Sequence, residues 1–317
     1  MEDVLSVRTS TALVITHNSE DVVEGCLTAL AEFAPSFEVV VVDNGSSDRT
    51  VGLARRNGAT VISNSDNRGF AGAVNQAFSC THTETVLLLN PDTWVSTPLT
   101  ALVEACRIHG LAAGQLTDQQ GVPQAGFSIR RFPTAANLIL ELFGVNRLWR
   151  RNPWNRQYRY LDRDLNQEGP VEQPAGAFLM IRRDVWQTLA GFDEDFWPIW
   201  FEDVDFCYRA AKAGYTAQYL ASAKAKHLGG QSIKKLDSSV RELYWYVSLI
   251  EYAAKHFGPS TYRGVCLAAV LSIFPRMILG MIRERGLRPL GSYCRILNFA
   301  GRRLVFRQHR VGRGTHT

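Results

Sequence analysis

Apolar runs that alternate with helical patterns predict an α/β fold: a Rossmann-like, mostly parallel sheet flanked by helices, with a basic helical extension behind it. Three observations carry that prediction. Continuous apolar runs at 11–17, 37–43 and 85–90, with a shorter one at 59–63, suit strands buried on both faces. Helix-compatible stretches lie between them, the alternation of a doubly wound sheet. Beyond residue 235 the strand pattern stops: an aromatic helical pattern at 242–257 leads into an apolar stretch at 264–282 and then into arginines. The expected division is a sheet domain over 1–235 and a C-terminal helical extension over 236–317.

Composition sets limits on partners. With 46% hydrophobic and 21% charged residues the chain is globular rather than disordered, and its 317 residues give room for one large domain or two ordinary ones. The net charge of +5 is uneven. Nine arginines stand against Glu284 alone beyond residue 282, so that tail carries +8 and the rest of the chain −3. A nucleic-acid binder would carry a basic stripe through its folded part; here that part is mildly acidic, and no nucleic-acid partner is expected. Six cysteines without a Cys-x-x-Cys spacing suit reduced thiols in a cytoplasmic protein. Residues 1–10 carry acids and no apolar core, unlike a secretory signal.

The elements follow in order. After the first strand, Asn18 and Ser19 offer a helix cap, with apolar positions through Phe33. The second strand ends in Asp43-Asn44-Gly45-Ser46-Ser47-Asp48, and a loop with Asn67, Gly69 and Gly72 opens a helix to about Cys80. The fourth strand ends in Asn90-Pro91-Asp92. Ligands of such sheets sit at the carboxyl ends of the strands, so Thr16, Asp43, Asn67 and Asn90–Asp92 are expected on one rim. Asp43 can accept from a base N–H, and Asp48 or Asn67 can meet a ribose. The small residues around Gly69 let a ligand approach the backbone, and Asp92 can hold a divalent cation against a diphosphate. Taken singly, each is also an ordinary turn or strand terminator. No Gly-x-Gly-x-x-Gly follows the first strand and no Gly-x-x-x-x-Gly-Lys-[Ser/Thr] occurs, which excludes the dinucleotide and P-loop readings.

From 115 to 170 the pattern weakens, and Trp and Arg residues gather at 143–160 as a sugar platform, a lid or plain packing. Order returns at 174–181, where a small-residue turn feeds an apolar strand, followed by a short helix to Leu189. The stretch 191–205 then sets six carboxylates among aromatic rings. Buried carboxylates need a partner. Glu202 and Asp203 fall in the first turn of a helix, where its dipole favours ionised acids. Asp205 and Arg209 can pair four apart, and Gly214 suits the C-terminal cap. A strand at 215–220 and His227 complete the domain.

In this order, Thr16-x-Asn18, Val42-Asp43-Asn44-Gly45-Ser46-x-Asp48, Asn67-x-Gly69-Phe70-x-x-x-x-Asn75, Leu89-Asn90-Pro91-Asp92, Gly176-Ala177-Phe178-Leu179-x-Ile181-Arg182-Arg183, Gly191-Phe192-Asp193-Glu194-x-Phe196, Phe201-Glu202-Asp203-Val204-Asp205-x-Cys207-x-Arg209 and His227-x-x-Gly230-x-Ser232 resemble an inverting family 2 glycosyltransferase of the GT-A fold, in its bacterial rhamnosyltransferase-like subgroup. The resemblance spans about residues 10–235. It implies that Thr16, Asn18, Asp43, Asn44, Asn67, Gly69, Asn75 and Asn90 line the donor pocket, with Asp48 supporting the loop. It implies metal ligation by Asp92 and His227, with Asn90 standing where the usual Asp-x-Asp motif has its first acid. Asp203 becomes the general base, beside Glu202, and Gly176, Ala177, Asp193 and Trp200 the acceptor or sugar contacts. The partners implied are a dTDP-rhamnose or UDP-sugar donor, Mg²⁺ or Mn²⁺, and a glycan or polyprenyl-diphosphate-linked acceptor of cell-wall or O-antigen type.

The extension suits a peripheral anchor at the inner face of the plasma membrane, since 264–282 is apolar but broken by Pro275 and Arg276, and arginines follow. A packed helical subdomain or a homodimer contact is the alternative. Three other functions compete: a non-catalytic glycan- or nucleotide-binding module, favoured by Asn90; a sugar nucleotidyltransferase, which lacks its Gly-rich basic loop; and a membrane scaffold, which leaves the strand-end acids unexplained.

Overall fold

In the computed structural model, residues 10–229, 236–287 and 289–305 are described. Gly230 and Ser232 of the last motif, with Arg288, Arg307, Arg310 and Arg313 of the tail, lie outside them.

The first half is β1 (Ser10–Thr16), α1 (Val23–Phe33), β2 (Glu38–Asn44), α2 (Thr50–Arg56), β3 (Thr60–Asn64), α3 (Gly69–Cys80), β4 (Thr85–Leu89), β5 (Thr93–Val95), α4 (Thr100–His109) and β6 (Gly110–Thr117). There follow β7 (Ile129–Arg130), α5 (Ala135–Leu142), α6 (Val145–Leu148), α7 (Pro153–Tyr158), β8 (Gly169–Val171), β9 (Gln173–Pro174), β10 (Phe178–Arg182), α8 (Arg183–Thr188), α9 (Glu202–Lys212) and β11 (Thr216–His227). Three helices close the chain: α10 (Ser238–His256), α11 (Pro259–Glu284) and α12 (Pro289–Val305).

The main sheet has the order β3-β2-β1-β4-β10-β6-β11-β5, with β8 on β11. Pairings β1–β2, β1–β4, β2–β3 and β6–β11 are parallel, while β10 runs against both β4 and β6. This reversal puts the start of β10 beside the end of β4, with Phe178 opposite Leu89. The carboxyl ends of β1–β4, β6 and β11 therefore share one rim with the start of β10.

The apolar runs are continuous because both faces of the sheet are covered. Ala12, Val14, Val41 and Leu87 face one core with α1 and α4; Leu13, Val40, Val42 and Leu88 face another with α3, α8 and α9. A third core joins α10–α12 to α5 and to Phe196, Phe201 and Val204. The extension is thus packed into the sheet domain through the 196–204 segment rather than trailing behind residue 235.

Three expectations are corrected. Helix α1 begins at Val23 and neither Asn18 nor Ser19 caps it through its side chain; the Ser19 carbonyl instead accepts from Val22 and Val23 N–H. Strand β6 was not expected at all. Strand β11 runs on to His227 through an irregularity between Leu220 and Lys224, beyond the end expected at 220.

Candidate active site

At the ends of β1 and β2, Thr16 Oγ1 donates to Asp43 Oδ1 at 2.9 Å, and Ser46 donates to the same carboxylate through its N–H at 2.9 Å and its Oγ at 2.5 Å. Thr16 and Asp43 are buried. Asn18, with a left-handed φ of 50°, accepts Ser47 N–H at 2.9 Å. Asp48 accepts from Thr50 N–H and from Glu20 N–H. Asn44 donates to Asn67 Oδ1 and to the Gly69 carbonyl, both at 3.1 Å, which ties the start of α3 to β2. Gly69 has φ +78°, and a Cβ there would lie 2.7 Å from the Trp197 ring. Glycine is required on both counts. Asn75 is placed differently from expectation. Its carboxamide bridges Phe192 N–H and C=O at 3.0 and 2.9 Å and reaches Glu194, so it clamps the 191–194 turn instead of lining a donor pocket.

Strands β5 and β11 pair antiparallel, with Thr93 opposite His227, and Leu228 N–H donates to the Asp92 carbonyl. The result is a buried pair, His227 Nε2 to Asp92 Oδ1, at 3.6 Å. Gln124 fixes the imidazole: Oε1 meets Nδ1 at 3.0 Å, Nε2 donates to the His227 carbonyl at 2.8 Å, and Phe127 stacks on the ring 4.8 Å away. With Nδ1 on Gln124, Nε2 faces Asp92; metal-bound histidines are commonly oriented through their other ring nitrogen in this way. Among the described residues no group of three or more His, Cys, Asp and Glu gathers to hold a metal. One carboxylate and one imidazole nevertheless fit a hard cation that takes its other ligands from phosphate oxygens and water.

The general-base candidate reaches the same rim by two backbone links. Asn90 N–H donates to the Ala177 carbonyl at 3.1 Å, and the next peptide back, Gly176 N–H, donates to Asp203 Oδ2 at 2.9 Å. Asp203 Oδ1 accepts from Val204 N–H at 2.8 Å. Burial raises the Asp203 carboxyl above its usual range, against the Gly176 N–H and the Arg130 charge that oppose the rise. Glu202 is pushed much further, by burial first and by Asp203 second. Its Oε2 is buried with no hydrogen-bond partner. Two left-handed residues, Trp200 at φ 78° and Phe201 at φ 70°, turn the chain into α9.

Asp205 is fully buried. Burial works against its charge, but a 2.7 Å hydrogen bond with His256 and the charges of Arg209 and Lys255 outweigh it and hold the carboxyl below its ordinary range. Arg209 also donates to the Leu189 and Gly191 carbonyls. The Asp193 carboxylate, expected at the acceptor, pairs with Lys255 at 2.5 Å. Trp200 packs on the third core, while Trp197, 40% exposed, takes the place beside Gly69 and meets Tyr244 edge-on at 5.9 Å. Sequence reasoning missed Gln124, Trp197, Lys255 and His256. A lone glutamine in a pattern-poor segment and a Lys-His pair at a helix end carry no spacing that points to a site.

A cleft of about 470 Å³ lies elsewhere, between Arg131, Arg156, Tyr160 and Arg163. Arg131 and Arg156 already face Glu172 and Asp162.

The sequence profile of glycosyl transferase family 2 matches residues 11–189. An N-acetylglucosaminyl-diphospho-decaprenol L-rhamnosyltransferase of Mycobacterium tuberculosis is 28% identical over 236 residues, 69% of this chain and 76% of the relative. Rhamnosyltransferase WbbL of Escherichia coli is 22% identical, over 68% of this chain and 81% of the relative. The fold matches that of the Pyrobaculum calidifontis mannosyltransferase PcManGT in complex with GDP-Man and Mn²⁺ (TM-score 0.53, 16% identity, 95% of this chain and 88% of that one). It also matches residues 1–349 of S. aureus TarS in complex with UDP-GlcNAc (TM-score 0.52, 17% identity, 93% of this chain and 81% of that fragment). The architecture is GT-A-like, as the resemblance implied.

Proposed function

This chain belongs to glycosyl transferase family 2, and from that premise we propose that it moves a sugar, rhamnose in the favoured reading, with inversion from a nucleoside diphosphate to a lipid-linked or polysaccharide acceptor. One observation carries the proposal. The Asn90–Ala177 and Gly176–Asp203 hydrogen bonds tie the Asp92–His227 pair and Asp203 to a single rim. The two rhamnosyltransferase relatives support the choice of sugar, and the Mycobacterium tuberculosis relative supports a polyprenyl-diphosphate-linked acceptor.

In this mechanism Asp203 takes the proton of the acceptor hydroxyl as its oxygen bonds to the anomeric carbon. The carbon–oxygen bond to the diphosphate breaks on the opposite side. A buried carboxylate is a stronger base than an exposed one, which suits Asp203 to a poorly acidic alcohol. With one base and no covalent intermediate, a single displacement inverts the centre. Glu202, whose carboxyl burial pushes well above its ordinary range, orients a sugar hydroxyl from its unpartnered Oε2. A divalent cation, Mg²⁺ or Mn²⁺, held by Asp92 and His227 would offset charge on the departing diphosphate. A lipid-linked acceptor would bring the protein to the cytoplasmic face of a membrane.

The test is a thermal-shift screen of dTDP-, UDP- and GDP-sugars with and without Mn²⁺, followed by transfer to a polyprenyl-diphosphate sugar. A dTDP-rhamnose shift that needs the cation is expected. If no nucleotide sugar shifts the transition and none is turned over, the proposal fails.

A further inference from the structure

We infer that the outward face of α11 docks on an anionic lipid surface, with the helix lying in the plane of the interface instead of crossing the bilayer. Residues Pro259–Ile282 are long and apolar enough to cross, and an 18-residue stretch within them has mean hydropathy 2.2. The other side of the helix excludes a crossing. Tyr262, Val265, Cys266, Ala269 and Ile273 are buried in the core shared with α5, α10 and α12. Arg276 also turns inward. Its guanidinium bonds the Glu141 and Leu142 carbonyls at 2.9 Å and faces the Trp245 and Tyr246 rings.

The helix is therefore inverted relative to an ordinary surface helix. Its mid-helix charge points in, while Leu267, Leu271, Phe274, Ile278, Leu279 and Ile282 point out, each 47–68% exposed. Their spacing of three and four residues makes one stripe. A contiguous exposed apolar stripe of this kind marks an interaction surface. The Arg276 bonds also set the end of α5 against α11, and the turn after the next helix, α6, carries exposed Trp149 with Arg150 and Arg151. Tryptophan and arginine are side chains suited to a membrane–water boundary.

Charge decides between lipid and a second copy. From residue 259 onward the sequence has eleven arginines and a single acid, Glu284. Exposed Arg263 and Arg285 flank the stripe, and Arg295 and Arg302 project from α12. Two copies meeting on this face would bring like charges together, whereas anionic headgroups satisfy the arginines and the acyl boundary covers the leucines. The inference deepens the proposed reading, on which it rests for its purpose, by naming the face that would bring the rim to a lipid-linked acceptor.

Flotation of the full chain with phosphatidylcholine vesicles, with and without phosphatidylglycerol, reads binding without turnover. Wild type should float with the anionic vesicles only, and less at high salt. Leu271→Glu combined with Ile278→Glu should lower the partition coefficient by at least about tenfold, with an unchanged unfolding midpoint. Arg285→Glu with Arg295→Glu gives the charge arm should the first variant misfold. Equal flotation of wild type and variants would overturn the inference. So would a lipid-free dimer that the leucine variant dissolves, which would give the face to a second copy. Absent sugar transfer beside intact flotation would sink the transferase reading alone.

Discussion

The proposed donor-side and acceptor-side halves of the rim are held in opposite ways. On the donor side the polar groups at the ends of β1 and β2 are fixed by the adjoining strand end or the next loop: Thr16 and Ser46 on Asp43, Asn67 and Asn44 on the start of α3. On the acceptor side, Asp193 and Asp205 are held by Lys255 and His256, side chains that arrive from beyond the sheet domain. The donor half is thus a property of the sheet, and the acceptor half a joint product of the sheet and the extension.

The sharpest way to break this division is at the base itself. Asp203→Asn should keep nucleotide binding, because the donor half does not depend on it, and should cut transfer by roughly 10²–10⁴-fold. Calorimetry with the nucleotide beside a transfer assay checks both; loss of nucleotide binding would show that the halves are not separable.

Next in size is the joint between the halves. Asp205→Ala leaves Lys255, Arg209 and His256 without their shared anion, and removing one partner from a buried charge cluster costs about 3–5 kcal/mol. Urea unfolding measures it. The pH sign follows from the depressed carboxyl: Asp205 stabilises the fold fully above its unfolded pKa of about 3.9, and that contribution is lost as pH falls through the lower folded value. Wild type should therefore lose stability below about pH 4 more steeply than the Ala variant.

This contrast also explains what the sequence could and could not disclose. Strands β1, β2 and β4 and the polar groups that end them are legible, because burial on both faces forces continuous apolar runs and the site lies where each run stops. Strand β6 is not legible. Its Gly114 leaves room for the Phe178 ring, which a Cβ would meet at 2.1 Å, and small residues carry no strand signal. Strand β11 hides its second half behind an irregularity and an alternation of Ala with Ser and Lys. Asn75 sits inside its motif and Trp200 just ahead of one, yet the first is taken up by the Phe192 backbone and the second by the third core. The pairing of Lys255 with Asp193 spans 62 residues of sequence, a distance over which one chain gives no register.

On the donor side the corresponding test is milder. Gln124→Leu removes the group that orients His227 while leaving Asp92 and His227 in place. Loss of such a supporting partner typically costs about 10–100-fold in metal affinity. Titration of Mn²⁺ should show that loss, while nucleotide affinity without cation stays put.

The smallest expected effect probes the link between the halves. A Cβ at Gly176 would stand 3.2 Å from the Asp203 Cβ and 3.3 Å from its Oδ2. The backbone φ is not in the left-handed region, so Gly176→Ala brings crowding without strain. Asp203 must then shift by a few tenths of an ångström, and since a 1 Å misplacement can cost about 10²-fold, up to about tenfold in kcat is expected. Weakening the Gly176 N–H bond removes a group that favours the charged form, so the Asp203 carboxyl should rise further. The acid limb of the pH–rate profile would move to higher pH with the unfolding midpoint nearly unchanged. A fall in kcat with an unmoved acid limb would mean that Gly176 acts by packing alone and that the base is held from elsewhere.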